Sequence, residues 1–124
     1  MADLFIGGLF ALDRRSKSVS MSQFGFFVKF KTLDGKREEL VSLLLQASRS
    51  VATSKPCRQY LVYRDANDEN LVCVHEIWDT KEDHDRSLAN QASGELIQKA
   101  MSLLDGKPEG TELKLAGGFS TFSP

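Results

Sequence analysis

The chain has 124 residues, 41% of them hydrophobic, and its 16 Lys and Arg against 17 Asp and Glu leave a formal charge of −1. That length supports one hydrophobic core rather than two, and the balanced charge excludes the basic field that nucleic acid or an anionic membrane surface would need. Cys57 and Cys73 lack metal-ligand spacing, and a chain this apolar does not depend on disulfide staples, so a reduced, cytoplasmic setting is expected.

Residues 1–20 stand apart. Leu4 to Leu12 is apolar, but Asp3 precedes it and Arg14, Arg15 and Lys17 follow, the reverse of a secretory signal, and the run is too short to span a bilayer. These residues are expected to be a leader or an expression-derived extension; the rival reading is a short amphipathic helix docked on the domain. The folded unit is expected to occupy residues 21–124.

Phe24 to Lys31 (FGFFVKFK) alternates, with Phe24, Phe26, Val28 and Phe30 on one side and Lys29 and Lys31 on the other, which predicts a half-buried strand. Asp34-Gly35 predicts a turn with Asp34 as N-cap, followed by a helix of about five turns carrying Leu40, Leu43, Leu44, Ala47 and Val51 on one face. Lys55-Pro56 ends it, and Cys57 to Arg64 (CRQYLVYR) reads as a second strand. A polar turn, residues 65–70, joins it to a third strand, Leu71 to Trp78. If that turn centres on Asn67, Leu61 lies opposite Cys73, and a Cys57–Cys73 disulfide would strain the ladder.

Thr80-Lys81-Glu82-Asp83 has the form of a capping box with Asp in the usual Glu position and opens a short helix to about Ala89. Ser93 to Leu104 predicts a further helix, stopped by Gly106 and Pro108, and Thr111 to Ala116 a last strand. The order strand, helix, strand, strand, helix pair, strand predicts the α+β class: a ferredoxin-like βαββααβ fold with a four-stranded antiparallel sheet covered by helices on one face. The other face carries Phe27, Cys73, His75 and Ile77, and a second copy is expected to cover it, giving a homodimer, a dimeric α/β barrel.

Taken together, VKF in the first strand, SKPCRQYLVYRD before and in the second, VCVHEIWDTKEDHDRSL and the tail TELKLAGG resemble the antibiotic biosynthesis monooxygenase family. The resemblance spans about Phe24 to Gly118, and its sharpest piece is Glu76-x-Trp78 with His84 six residues on. It departs at Lys55-Pro56-Cys57, where the family often has Pro-Gly-Cys, and near Ser93-Gly94-Glu95, where many members carry a His. Members include cofactor-free oxygenases of polyphenols and quinols, haem-degrading enzymes and an isomerase, so the resemblance implies fold and dimer more closely than activity. The haem-degrading branch uses an Asn on the first strand, a Trp in the next-to-last helix and a His ligand in the last; this chain has none of these, which disfavours haem.

The expected activity is cofactor-independent monooxygenation of an electron-rich aromatic, such as a quinol or polyphenol, with molecular oxygen as co-substrate and no metal or organic cofactor. His84 is the candidate base, because an imidazole titrates near neutral pH, with a capping His bonded to a carboxylate as the competing reading. Trp78, which lines the cavity in the family, and Tyr60 would orient the ring, and Phe26, Phe30, Leu88 and Ile97 would supply apolar wall. Glu76 joins the substrate-binding set, but a carboxylate on that face is costly unless paired, so structural pairing with Arg64, Lys29 or a partner-subunit cation competes. Cys73 is expected to be inert packing, and Glu82, Asp83 and Asp85 a solvated helix start. A non-catalytic binding or scavenging dimer is the alternative, and a cofactor-free isomerase using His84 a weaker one.

Overall fold

The computed structural model describes residues 23–120, except for the side chains of residues 91–93; the expectation for residues 1–20 lies outside them. The elements are β1 (Phe24–Lys31), α1 (Arg37–Val51), β2 (Cys57–Arg64), β3 (Leu71–Trp78), α2 (Lys81–Leu88), α3 (Gln91–Met101) and β4 (Glu109–Lys114). All strand pairs are antiparallel and the sheet order is β2-β3-β1-β4, the ferredoxin-like α+β arrangement. Among the described residues no helix is long and apolar enough to cross a membrane.

Because successive side chains on a strand alternate, the register assigns every residue to a face. Phe24, Phe26, Val28 and Phe30 share theirs with Trp78, Glu76, Val74 and Val72 of β3 and with Tyr60 and Val62 of β2. Against this face pack Leu40, Val41 and Leu44 of α1, Ala100 of α3 and Leu103 just beyond it, and together with Val28, Val72 and Val74 they form the buried core. The opposite face carries Phe27, His75, Ile77 and Leu61, with Tyr63 and Leu113 exposed, and among the described residues no element crosses it.

Several boundaries differ from the sequence reading, each for a visible reason. Gly35 makes the turn at a φ of 76°, but the N-cap of α1 is Lys36, with no side-chain cap; the Asp34 carboxylate instead accepts from Asn70 Nδ2 at 2.7 Å. The helix has 15 residues, about four turns rather than five. The hairpin centres one residue later than expected, so that Tyr63, not Leu61, lies opposite Cys73. Asp65 Oδ1 accepts the amides of Asn67 and Asp68, and Asp68 Oδ1 that of Asn70, which wraps the loop around Asp68. Cys57 lies opposite Trp78, away from Cys73, and both cysteines are free. The last helix ends at Met101, because Leu104 leaves it to bridge Thr32, and β4 begins at Glu109, where Lys29 is its partner.

Candidate functional site

The end of β3 is tied down before α2 begins. Asp79 N–H donates to Pro56 O, and its carboxylate takes both Nε and Nη2 of Arg58, at 2.6 and 3.2 Å. Thr80 then caps α2: its Oγ1 accepts from Asp83 N–H, the N-cap half of the expected capping box, while the shorter Asp83 carboxylate accepts at Oδ2 from the Thr80 hydroxyl where a box would take the Thr80 backbone N–H. One turn later His84 falls on the inner side of α2 and is the buried residue of that helix, 6% exposed.

His84 enters a nest of rings. Its centroid lies 5.0 Å from Phe26, 5.4 Å from Phe24 and 6.0 Å from Trp78, the last edge-on at 79°, while Phe24 and Phe26 stack 6.1 Å apart. Trp78 is fully buried, and its Nε1–H donates to Glu76 Oε1 at 2.8 Å. The same oxygen is 3.9 Å from His84 Nε2, too far for a direct hydrogen bond, while Nδ1 is 3.1 Å from Asp85 Oδ1. Burial pushes the Glu76 carboxyl above its ordinary range, against the Trp78 N–H and the charge of His84, which favour the carboxylate.

Glu76 therefore has neither of the cations expected from this chain. Arg64 forks onto Glu38 at 2.8 and 2.9 Å, and Lys29 lies on the other side of the sheet. An indole N–H and an imidazole take their place. The Trp78 N–H is thereby committed within the protein rather than presented to a ligand.

The other expected site residues divide into two groups. Tyr60 lies beside Glu76 across β2 and β3, and burial, then Glu76 and Cys57, drive its hydroxyl pKa far up, so it is a neutral hydroxyl at physiological pH. Phe26 is in the nest, but Phe30, four residues along β1, packs on the core opposite Val72. Leu88 and Ile97, expected as wall, are 48% and 38% exposed in the single chain. α2 turns inward at His84, and its terminal residue Leu88 does not follow.

Four participants escaped the sequence reading. Phe24 has the same strand parity as Phe26 and was legible as a second ring. Gly110 gives no periodic signal, yet a Cβ there would stand 2.5 Å from Phe26 Cζ, so the Phe26 ring requires a glycine beneath it. Lys81 sits 5.7 Å over the Phe24 ring and 3.2 Å from Glu112 of β4, closing the rim between α2 and the edge strand. Asp85, read as part of a solvated acidic run, is the partner of His84. Burial raises both thiols, Cys57 to about 11, which makes them poor nucleophiles. Among the described residues no three His, Cys, Asp or Glu side chains converge to hold a metal ion.

The fold has counterparts among known proteins. A candidate antibiotic biosynthesis monooxygenase of Chloroflexus aurantiacus is 25% identical over 80% of this chain and 98% of its own, with a TM-score of 0.72. A second candidate of that kind, from Caulobacter crescentus, is 15% identical over 84% and 99%, with a TM-score of 0.73. SnoaB, a cofactor-independent oxygenase of Streptomyces nogalater, is 13% identical over 78% and 96%, with a TM-score of 0.69, a likeness of fold. No curated protein matches the chain. The family model for antibiotic biosynthesis monooxygenase matches residues 24–99, which include β1, β3, Glu76, Trp78 and His84, and the chain belongs to that family.

Proposed function

We propose that the protein is a cofactor-independent monooxygenase of an electron-rich aromatic, a quinol or polyphenol, working as a homodimer. The observation that carries this reading is His84: an imidazole 6% exposed, ringed by Phe24, Phe26 and Trp78, with Nε2 on the side of Glu76. An apolar nest of this kind suits a flat aromatic and excludes the bulk water that would quench a reactive anion.

His84 Nε2 takes a proton from the substrate, and the resulting anion transfers one electron to oxygen. The radical pair joins as a peroxide at a ring carbon that bears a hydrogen, and the protonated His84 returns its proton to the outer peroxide oxygen. The O–O bond then breaks as that hydrogen leaves with the outer hydroxyl as water, so one oxygen atom stays in the product as a carbonyl and the other departs in water. The substrate supplies all the electrons, which is why no flavin or metal is required of the protein. Tyr60, a neutral hydroxyl beside Glu76, is the donor for the developing negative charge. The apolar sheet face, which no described element covers, supports the homodimer.

One observation favours the alternative, a binding dimer without turnover: Trp78 and Glu76 satisfy each other internally, as in a structural polar pair. Oxygen uptake separates the two. A panel of quinols under air should give uptake that falls about 100-fold or more in His84→Ala. Uptake unchanged in that variant removes His84 as base, and ligand-induced melting shifts without any uptake favour binding alone.

A further inference from the structure

Asp85 follows His84 directly in α2, and its Oδ1 lies 3.1 Å from His84 Nδ1. It is an exposed residue, so its carboxylate remains hydrated and carries its charge beside a ring that is itself buried. An ionised carboxylate only accepts hydrogen bonds, so Nδ1 must be the donor. The hydrogen bond from His84 also holds the Asp85 carboxyl below the usual carboxylate range, with Lys81, 3.6 Å from Oδ2, acting in the same direction. A neutral imidazole has one N–H. With that hydrogen on Nδ1, Nε2 is left bare on the side facing Glu76, 3.9 Å away. The titratable groups around the ring are Glu76 and Tyr60 on the sheet, Cys57 behind them, Asp85 and Lys81 on α2, and Glu112 of β4 beyond Lys81.

We propose that Asp85 is a positioning residue that fixes His84 as its Nδ1–H tautomer, so that the nitrogen presented to the interior is a base rather than a donor. The tautomer stands on the geometry alone; its effect on turnover rests on the monooxygenase reading. In the opposite tautomer Nε2 would carry the hydrogen and accept nothing from a substrate hydroxyl. Two acidic neighbours thus divide the ring: the exposed Asp85 sets which nitrogen is protonated, and the buried Glu76 faces the one left free.

The test is nitrogen-resolved NMR on protein with 15N-labelled histidine, in a His75→Gln background that leaves His84 as the labelled ring, at a pH where that ring is neutral. The expected pattern is a pyrrole-type Nδ1 and a pyridine-type Nε2. Asp85→Ala should move the ring toward the Nε2–H form that free imidazole side chains prefer, and Asp85→Glu should restore much of the Nδ1–H form. An Nε2–H ring in the Asp85-containing protein, or a pattern unchanged by Asp85→Ala in a chain with an unaltered melting temperature, overturns the proposal. With a substrate in hand, Asp85→Ala should lower kcat about tenfold or more while KM stays within about twofold. An unchanged kcat beside an altered tautomer removes the catalytic consequence. Absence of uptake beside the expected tautomer defeats the monooxygenase reading and leaves the positioning role intact.

Discussion

The hydrogen bond between Trp78 Nε1 and Glu76 Oε1 is buried at both ends, with Trp78 fully covered and Glu76 8% exposed, which makes its energy measurable. A hydrogen bond to a charged or strongly polarised partner contributes about 1.5–3 kcal/mol, and removing one partner leaves the other unsatisfied at a cost of about 1–3 kcal/mol. Trp78→Phe removes the donor and shrinks a ring with no exposed surface, so it should cost about 2–4 kcal/mol in all. That is a large share of the roughly 5–15 kcal/mol that holds a domain together. Glu76→Leu removes the acceptor and strands the indole N–H. In Trp78→Phe/Glu76→Leu neither polar group is left behind, so the double variant should cost about 1.5–3 kcal/mol less than the sum of the single ones. Urea unfolding at one fixed protein concentration gives all four stabilities, since association would otherwise shift the midpoints. A coupling below about 0.5 kcal/mol would mean that the indole acts only by filling space, and the account of Glu76 as a paired buried carboxyl would fail.

Four further outcomes follow from particular contacts. Burial raises the Glu76 carboxyl in the folded chain, so its contribution is complete below the ordinary value of 4.5 and is lost as pH rises through the folded value; stability relative to Glu76→Gln should therefore fall across that window, and a difference profile flat above 4.5 would refute the shift. Gly110→Ala drives a Cβ into the Phe26 ring and should cost about 1–3 kcal/mol while moving that ring against His84, visible as a changed His84 ring resonance beside a lowered unfolding midpoint. Thr80→Ala removes the cap of α2 and should cost about 1 kcal/mol by urea unfolding, and a loss under about 0.3 kcal/mol would show that the Arg58–Asp79 fork alone seats the helix. The Cys57 thiol, raised from 9.0 to about 11, should alkylate near neutral pH roughly 100-fold more slowly than an unperturbed thiol, a rate measurable in a Cys73→Ala background.

The sequence by itself determined the kind and order of the elements and which strand residues share a face. Periods of two and of 3.6 are properties of the local backbone, so Phe26 and Val28 on one strand, and Glu76 and Trp78 on another, each declare a common side without any knowledge of their neighbours. The cap at Thr80 was legible for the same reason, since its partners are three residues apart. Partnerships across the fold were not. That Glu76 meets an indole and an imidazole rather than Arg64 depends on Arg64 reaching Glu38 of α1, and that Tyr63 faces Cys73 depends on two aspartates wrapping one loop. The inward turn of His84 without Leu88, and the glycine beneath Phe26, were likewise decided when α2 and β4 came against the sheet. Pairings between distant residues follow from how packed elements exclude one another, a constraint no local spacing carries.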